Sequence, residues 1–404
     1  MKAVRFRIER REYLDFLIRQ KDKKMIKVIS GVRRCGKSTL FDLYICYLLS
    51  HGIDQDQIID INFEDIKNEA LNDYHVLYET VMKRRIPGRM TYVFLDEIQN
   101  CKGYEKAVDS LYIQENMDLY ITGSNAYFMS GELATLLSGR YVEIGMLPLS
   151  FREFRNAADP DRPLIDSYND YLMTSSFPYA LQYRGHQQDV NEFLRGLYTT
   201  ILLKDVVSRN QIRNVEMLED VIRYLFDNIG TRQTSGKLAG YMTAHHRKID
   251  DKTVDKYIQA LKDALIFYQA KRYDIKGKQI LETESKYYAV DIGLRYMLLG
   301  YQNTDRGHIL ENIIFLELKR RGYEVFIGQS GKNEIDFVAL KNNAPVYIQV
   351  TETVHDQSTL QRELKPLQDM KNHYQKMILT LDNDLPSDYD GIQVRYALDW
   401  LIEE

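Results

Sequence analysis

The run MIKVISGVRRCGKST (25–39) is an apolar strand, a glycine-bounded loop and the first turn of a helix in unbroken succession. Its loop, Gly31-Val32-Arg33-Arg34-Cys35-Gly36-Lys37-Ser38, matches the pattern G-x4-G-K-S/T in full. The glycines let the backbone curl so that its N–H groups, and those of the helix that follows, face phosphate oxygens. Lys37 adds a point charge for the β and γ phosphates, and Ser38 a hydroxyl ligand for Mg²⁺. Arg33, Arg34, Cys35 and Thr39 belong to the same phosphate-facing segment; the two arginines are open to nucleotide, to a domain interface or to solvent. ATP and Mg²⁺ are therefore the expected cofactors.

Around this loop, residues 25 to about 150 alternate short apolar runs with helical patterns, which predicts an α/β fold with a mostly parallel sheet and crossover helices. The strands are read at 25–30, 58–63, 91–95, 118–122 and 141–145, with an additional strand between the P-loop strand and the strand that ends in Asp96-Glu97. Leu40, Phe41, Leu43, Tyr44, Tyr47 and Leu48 recur at helical spacing, and Gly52 sits where that helix would stop.

The stretch TYVFLDEIQ (91–99) supplies the second half of a nucleotide site. Asp96 is placed to hold Mg²⁺, usually through water, and Glu97 to activate an attacking water. The competing reading of Glu97 is a solvated residue at a helix start. The next strand ends Ile121-Thr122-Gly123-Ser124-Asn125, where Asn125, or Ser124 in its place, could orient that water or sense the γ-phosphate; both are also ordinary turn residues. Arg140 precedes the fifth strand, and its guanidinium is a candidate for the phosphate of its own site or of a neighbour's, which brings self-association into the expectation.

Beyond this P-loop ATPase domain (1–155) the chain reads as a helical connector (156–212) broken at Ser175-Ser176-Phe177-Pro178. Residues 213–300 give three helices followed by two strands flanking Lys276-Gly277-Lys278, the winged-helix order. Residues 301–404 form another α/β unit: a helix from Ile309 to Leu318 capped by Arg321-Gly322, strands at 323–327, 334–340 and 345–350, a helix near 358–374, and strands at 377–381 and 392–396.

A chain of 404 residues with 44% hydrophobic and 28% charged residues has room for two or three domains. Nowhere do about 18 uninterrupted apolar residues occur, and the charged start MKAVRFRIERREY is no signal peptide, so the expected location is the cytoplasm, with no membrane partner. Cys35, Cys46 and Cys101 lack CxxC spacing, and neither a disulfide framework nor a zinc site is suggested. A net charge of -4 argues against a generally basic nucleic-acid coat and leaves room for a local basic patch. The 30 tyrosines are scattered and are read as packing.

The strings SGVRRCGKSTL, VFLDEIQN, ITGSNAYFMS, LLSGRYVEIGMLPLSFREF, SSFPYAL, ENIIFLELKRRGYEV and NEIDFVAL together resemble the large prokaryotic family of AAA-type ATP-binding proteins that carry a C-terminal domain of unknown function. The similarity runs over almost the entire chain and implies an ATPase core, a winged-helix-like middle and a restriction-endonuclease-like C-terminal fold. Nucleases of that fold use a carboxylate on one strand and Glu-x-Lys on the next to hold Mg²⁺ and assist the attacking water. Glu311 and Asp336 stand in matching positions, but Gln349-Val350-Thr351 replaces Glu-x-Lys, and Glu352 is one residue out of strand register. The expectation is a fold kept for docking or recognition, without nuclease activity. Lys319, Arg320 and Arg321 read as the solvated end of a helix. Lys252, Lys256 and Lys262, with Lys276 and Lys278 at the wing, invite DNA, whereas Asp250, Asp251, Asp255 and Asp263 interleave with them, so a DNA or a protein partner remains open. The expected function is ATP hydrolysis that switches the C-terminal recognition domains. The alternatives are an ATP-gated Mg²⁺-dependent DNA nuclease and a scaffold with mainly structural nucleotide.

Overall fold

Strand β1 (Ile26–Ser30) is buried along its whole length, the condition for a parallel strand covered on both faces. The structure, a computed structural model, describes residues 8–124, 137–301, 305–331 and 333–403 and divides into two units, Met1–Pro148 and Leu149–Glu404. In the first unit β1, β2 (Ile58–Asn62), β3 (Thr91–Asp96), β4 (Met117–Gly123) and β5 (Tyr141–Gly145) form one parallel sheet in the order β2-β3-β4-β1-β5. Thus β4 stands between the P-loop strand and the Asp-Glu strand, as the sequence implied.

Among the described residues four α-helices accompany this sheet: α1 (Arg11–Gln20), α2 (Lys37–Ser50), α3 (Tyr74–Arg84) and α4 (Tyr104–Tyr112). Alternation along the strands sorts their side chains between the two faces. Val28, Ile61, Val93, Leu95, Leu119 and Ile121 share one apolar cluster with Leu77 and Val81 of α3 and with Val108 and Leu111 of α4. The alternate positions Phe94 and Tyr120 stack at 4.7 Å between centroids, and α2 lays Phe41 edge-on at 5.1 Å from Phe94. An ion pair lies on this second face: Lys27 and Asp118, at 0% and 1% side-chain exposure, are hydrogen-bonded to each other. Lys27 also donates to the Lys23 carbonyl at 2.7 Å, and Asp118 accepts from the Tyr120 hydroxyl at 2.8 Å and the Asp22 N–H at 2.9 Å.

The second unit begins with α5 (Phe151–Ala158), α6 (Leu164–Thr174) and α7 (Gln187–Thr200), the last continuing into a π-helical stretch, Ile201–Ser208. The chain break expected at Ser175-Ser176 is held by Asp291, which accepts from the Ser176 N–H at 2.7 Å and its hydroxyl at 2.6 Å. Next come α8 (Val215–Asp227), the short strand β6 (Arg232–Gln233), α9 (Ser235–Ala244) and α10 (Asp251–Asp263). The antiparallel pair β7 (Phe267–Asp274) and β8 (Gln279–Ala289) follows, so three helices precede a hairpin as read from the sequence.

After α11 (Ile292–Leu299) and α12 (Arg306–Arg320) the remaining strands are β9 (Glu324–Ser330), β10 (Asn333–Lys341), β11 (Ala344–Thr351), β12 (Lys376–Thr380), β13 (Asp388–Tyr389) and β14 (Ile392–Tyr396). Strand β7 pairs in parallel with β9, so the hairpin and the C-terminal strands form one sheet of nine, in the order β13-β14-β12-β11-β10-β9-β7-β8-β6. The sheet therefore runs across the boundary read at 300/301. Helix α12 is buried from Ile309 through Leu318, and Asn312 grips Ala289 through both backbone groups, at 2.7 and 2.9 Å. Helix α13 (Gln357–Gln368) is shorter than the expected 358–374, and α14 (Ala397–Ile402) closes the chain.

One expectation fails at the end of α12. Arg320 and Arg321 are not solvated: they pair with Glu317 at 3.1 and 2.8 Å, and Arg321 lies 4.1 Å over the Trp400 ring of α14. Among the described residues no helix is long and apolar enough to cross a membrane.

Removing one partner of a buried ion pair leaves an uncompensated charge, which costs about 3–5 kcal/mol. Asp118→Ala should therefore destabilise the first unit by that amount in urea unfolding, and adding Lys27→Met should restore most of it. A loss below about 1 kcal/mol in the single variant would show the pair to be screened.

Candidate functional site

The loop after β1 is shaped by close approach as much as by backbone freedom. A Cβ on Gly31 would lie 2.4 Å from the Met146 carbonyl oxygen and 2.8 Å from Cys35 Sγ, so only glycine fits. Gly36, at φ +110°, takes the left-handed conformation from which α2 starts, and this favours glycine. The loop is pinned from outside by Arg10, a buried residue just before α1 that the sequence reading passed over. Its guanidinium donates to the Cys35 carbonyl at 2.9 Å and the Leu147 carbonyl at 2.6 Å. Burial pushes the Cys35 thiol up, which leaves it a packing group. Arg33 pairs with Glu64 at 2.7 Å, while Arg34 is exposed at φ +68°.

Lys37 is 3% exposed, and its Nζ donates to the Gly31 carbonyl at 2.9 Å and lies 3.3 Å from Glu97 Oε1. Burial disfavours the charged ammonium most, but Glu97, Cys35 and Asp96 together outweigh it and the pKa of Lys37 is raised. For Glu97, burial favours the neutral acid, and the Lys37 charge together with the Gln99 hydrogen bond and Arg33 reverses this and holds the carboxyl below its ordinary range. Asp96 is pushed up by burial, against hydrogen bonds from Thr122 and Ser38.

The acidic pair is set by neighbours from adjacent strands. Thr122, at the end of β4, donates its hydroxyl to Asp96 Oδ1 at 2.6 Å and accepts the Glu97 N–H at 2.9 Å. Asn62, at the end of β2, donates to Asp96 Oδ2 at 2.9 Å. The sequence reading overlooked Thr122 and Asn62, because strand-end polar residues gain meaning only from their partners. Ser124 is buried and accepts from Gln99 at 3.3 Å, whereas Asn125 lies outside the described residues.

Arg140 departs from the alternative that places it at the phosphates of its own chain. Its carbonyl accepts from Ile26 N–H at 2.9 Å, at the start of β1, whereas the phosphate loop follows the other end at Ser30. Four residues of strand separate the two edges by about 13 Å. Its guanidinium instead pairs with Asp109 of α4 and lies 5.7 Å over the Tyr112 ring. Arg140 therefore does not reach the phosphate loop of its own chain.

A strand, a phosphate loop closed by lysine, and an acidic pair at the end of the strand one removed from it are the apparatus of a nucleotide site. Residues 23–155 match the AAA domain family, and residues 165–305 match a domain of unknown function, DUF8612. An uncharacterized protein of Haemophilus influenzae is 38% identical over 98% of this chain and 99% of its own length. The chain belongs to the same family. An uncharacterized protein of Methanocaldococcus jannaschii is 30% identical over 89% of this chain and 80% of its own. Among solved structures, a Walker-type ATPase of Pyrococcus abyssi superposes with a TM-score of 0.51 at 16% identity, covering 72% of this chain and 96% of that one, a likeness of fold. Residues 23–155 thus form an AAA domain with the fold of a P-loop protein, which supports nucleotide binding there.

A second candidate site lies in the unit Leu149–Glu404. A cavity of about 600 Å³ is lined by Lys286, His308, Glu311, Glu334, Asp336 and Glu363, among others. Lys286, on β8, places Nζ 2.8 Å from Glu311, 2.9 Å from Glu334 and 3.6 Å from Asp336. The Tyr288 hydroxyl donates to Glu311 at 2.6 Å. Burial works against the ammonium, yet the three carboxylates prevail and the pKa of Lys286 is raised; burial and Glu311 push Asp336 up to about 7. Glu311 and Asp336 thus meet as the sequence suggested, around a lysine and a glutamate it did not single out.

The residues do not fit a divalent cation, because the position that Glu311, Glu334 and Asp336 share is taken by the Lys286 ammonium. Gln349 is engaged as a neutral clip: it accepts from the Asp336 N–H at 2.8 Å and donates to Glu363 at 2.8 Å. Glu352 pairs with Arg306 at 3.3 Å, and Thr351 donates to the Thr353 carbonyl at 3.2 Å.

Lys286→Met should destabilise the second unit by about 3–5 kcal/mol, since buried carboxylates would lose their counter-charge. Adding Glu311→Gln should recover part of the loss. Urea unfolding that changes by less than about 1 kcal/mol would mean that solvent already screens the cluster.

Proposed function

We propose that this chain is a cytoplasmic Mg²⁺-dependent ATPase that uses hydrolysis to switch its C-terminal recognition segments. The observation that carries this reading is the 3.3 Å contact between Lys37 and Glu97, which ties the residue suited to phosphate to the residue suited to the attacking water. One ammonium cannot serve both groups equally. The β and γ phosphates of ATP carry the greater negative charge, so they draw Lys37 away and leave Glu97 Oε1 free. Without its principal counter-charge, Glu97 loses the influence that depresses its pKa and becomes a stronger base. The water oxygen attacks the γ-phosphorus, its proton passes to Glu97, and the bond to the β–γ bridging oxygen breaks with its electron pair leaving on ADP.

Asp96 and Ser38 form an all-oxygen donor set that suits a hard cation, with their hydrogen bond already bringing them together. When bound there, Mg²⁺ supplies neutralisation of phosphate charge. Thr122 and Asn62 hold the Asp96 carboxylate in place for that task.

The C-terminal sheet is proposed to dock a partner without cutting it. The Lys286 ammonium among the carboxylates and the clipped Gln349 support this. Lys252, Lys256, Lys276 and Lys278 are exposed, which suits DNA, but the interleaved acids suit a protein equally. Turnover of ATP with and without duplex DNA separates the two, since DNA acting as the partner should change the rate.

Lys37→Ala should lower Mg-ATP affinity by roughly tenfold or more, the worth of one charged hydrogen bond, and calorimetry showing unchanged affinity would reject the role. Glu97→Gln should bind ATP and lose about 10²–10⁴ in turnover, measured as phosphate release; a wild-type rate would remove Glu97 as base. Supercoiled, linear and single-stranded DNA should stay intact with the protein, ATP, and Mg²⁺ or Mn²⁺. Cleavage abolished by Asp336→Ala would instead establish a nuclease.

A further inference from the structure

Gln99 lies two residues past Glu97 in a turn that Glu97 itself creates. Glu97 adopts the left-handed conformation, φ 54° and ψ 48°, and the Asn100 N–H closes the turn on the Glu97 carbonyl at 3.1 Å. A non-glycine residue in this region is uncommon, and such backbone gathers at functional sites. Its effect here is to carry the Gln99 amide back over the carboxylate. Gln99 Nε2 donates to Glu97 Oε2 at 2.5 Å and to Ser124 Oγ at 3.3 Å, joining the ends of β3 and β4.

The same amide holds a second, unspent capacity. Gln99 Oε1 is buried and has no hydrogen-bond partner among the described residues. Exchanging the amide oxygen and nitrogen would not relieve this, because a carbonyl would then face the Glu97 carboxylate, acceptor against acceptor. A buried unpaired carbonyl costs about 1–3 kcal/mol. Few are kept in native proteins, and each asks for a cause.

A water that attacks phosphorus has two O–H bonds to place. One proton goes to the base, and the other needs an acceptor that does not compete as a base, which a neutral amide carbonyl supplies. We propose that Gln99 positions both partners of the attack: Nε2 holds Glu97 by Oε2, and Oε1 accepts the second O–H of the attacking water. Glu97 Oε1, the oxygen that Lys37 releases, receives the transferred proton. The oxygen–phosphorus bond forms, the bridging bond breaks, and Gln99 neither gains nor loses a proton. This role rests on the ATPase reading.

A purely structural Gln99 would lower binding and turnover together, whereas a residue that positions the attacking water lowers turnover at unchanged affinity.

The test compares the full-length wild type with Gln99→Met, of similar length but without amide atoms, measuring phosphate release and, separately, binding of a fluorescent ATP analogue. Turnover should fall by roughly tenfold to a hundredfold, as expected for a charge-assisted hydrogen bond. Nucleotide affinity should stay within about twofold. Unchanged turnover would overturn the assignment. If Gln99→Met lowers binding and melting temperature together, Gln99→Ala is read in its place, and loss of binding in both variants overturns it in favour of a structural role. A wild type that binds nucleotide without hydrolysing it removes the ATPase reading and this role together, whereas hydrolysis unaffected by Gln99→Met removes this role alone.

Discussion

The ammonium of Lys37 joins the phosphate loop to the acidic strand end. It is 3% exposed, it closes the loop through the Gly31 carbonyl, and it neutralises Glu97. Both charges are too deeply placed to stand alone, so each is retained only because the other is there. In the proposed mechanism this makes phosphate recognition and release of the base a single event. A lysine can move between partners, being a point charge on a flexible stem, where a guanidinium would be bound by its fixed fork.

The same constraint recurs in each unit. Lys27 and Asp118 cross the sheet of the first unit, and Lys286 gathers Glu311, Glu334 and Asp336 in the second. In all of these a lysine on one element meets carboxylates from a distant stretch of chain. Such pairs add little net stability compared with apolar packing, but breaking one is expensive, so they specify which elements meet. The lysine near Glu311 also occupies the position that the three carboxylates share. Gln349 serves a backbone donor and a carboxylate acceptor at once, which neither an ionised Glu nor Lys could do.

Position in the sheet separates residues that look alike in the sequence. Parallel strands present their carboxyl ends together, so Ser30, Asn62, Asp96 and Thr122 meet at one edge. Arg140 leads into β5 and therefore belongs to the opposite edge, where Asp109 receives it. The distinction is topological, and no property of the arginine itself carries it.

The sequence by itself determined the strand, loop and helix of residues 25–50, the acidic pair at 96–97 and the five strands around them. These follow from local causes: glycine geometry, strand alternation and helical period act within a few residues of each other. It also marked Glu311, Asp336 and the departure at Gln349. Only the tertiary structure decided that Arg10 braces the loop, that Thr122 and Asn62 orient Asp96, that β7 joins β9 in one sheet, and that Lys286 fills the carboxylate cluster. Each of these joins residues far apart in the chain, and a buried charge takes whichever partner the fold brings within reach, because desolvation makes any partner better than none.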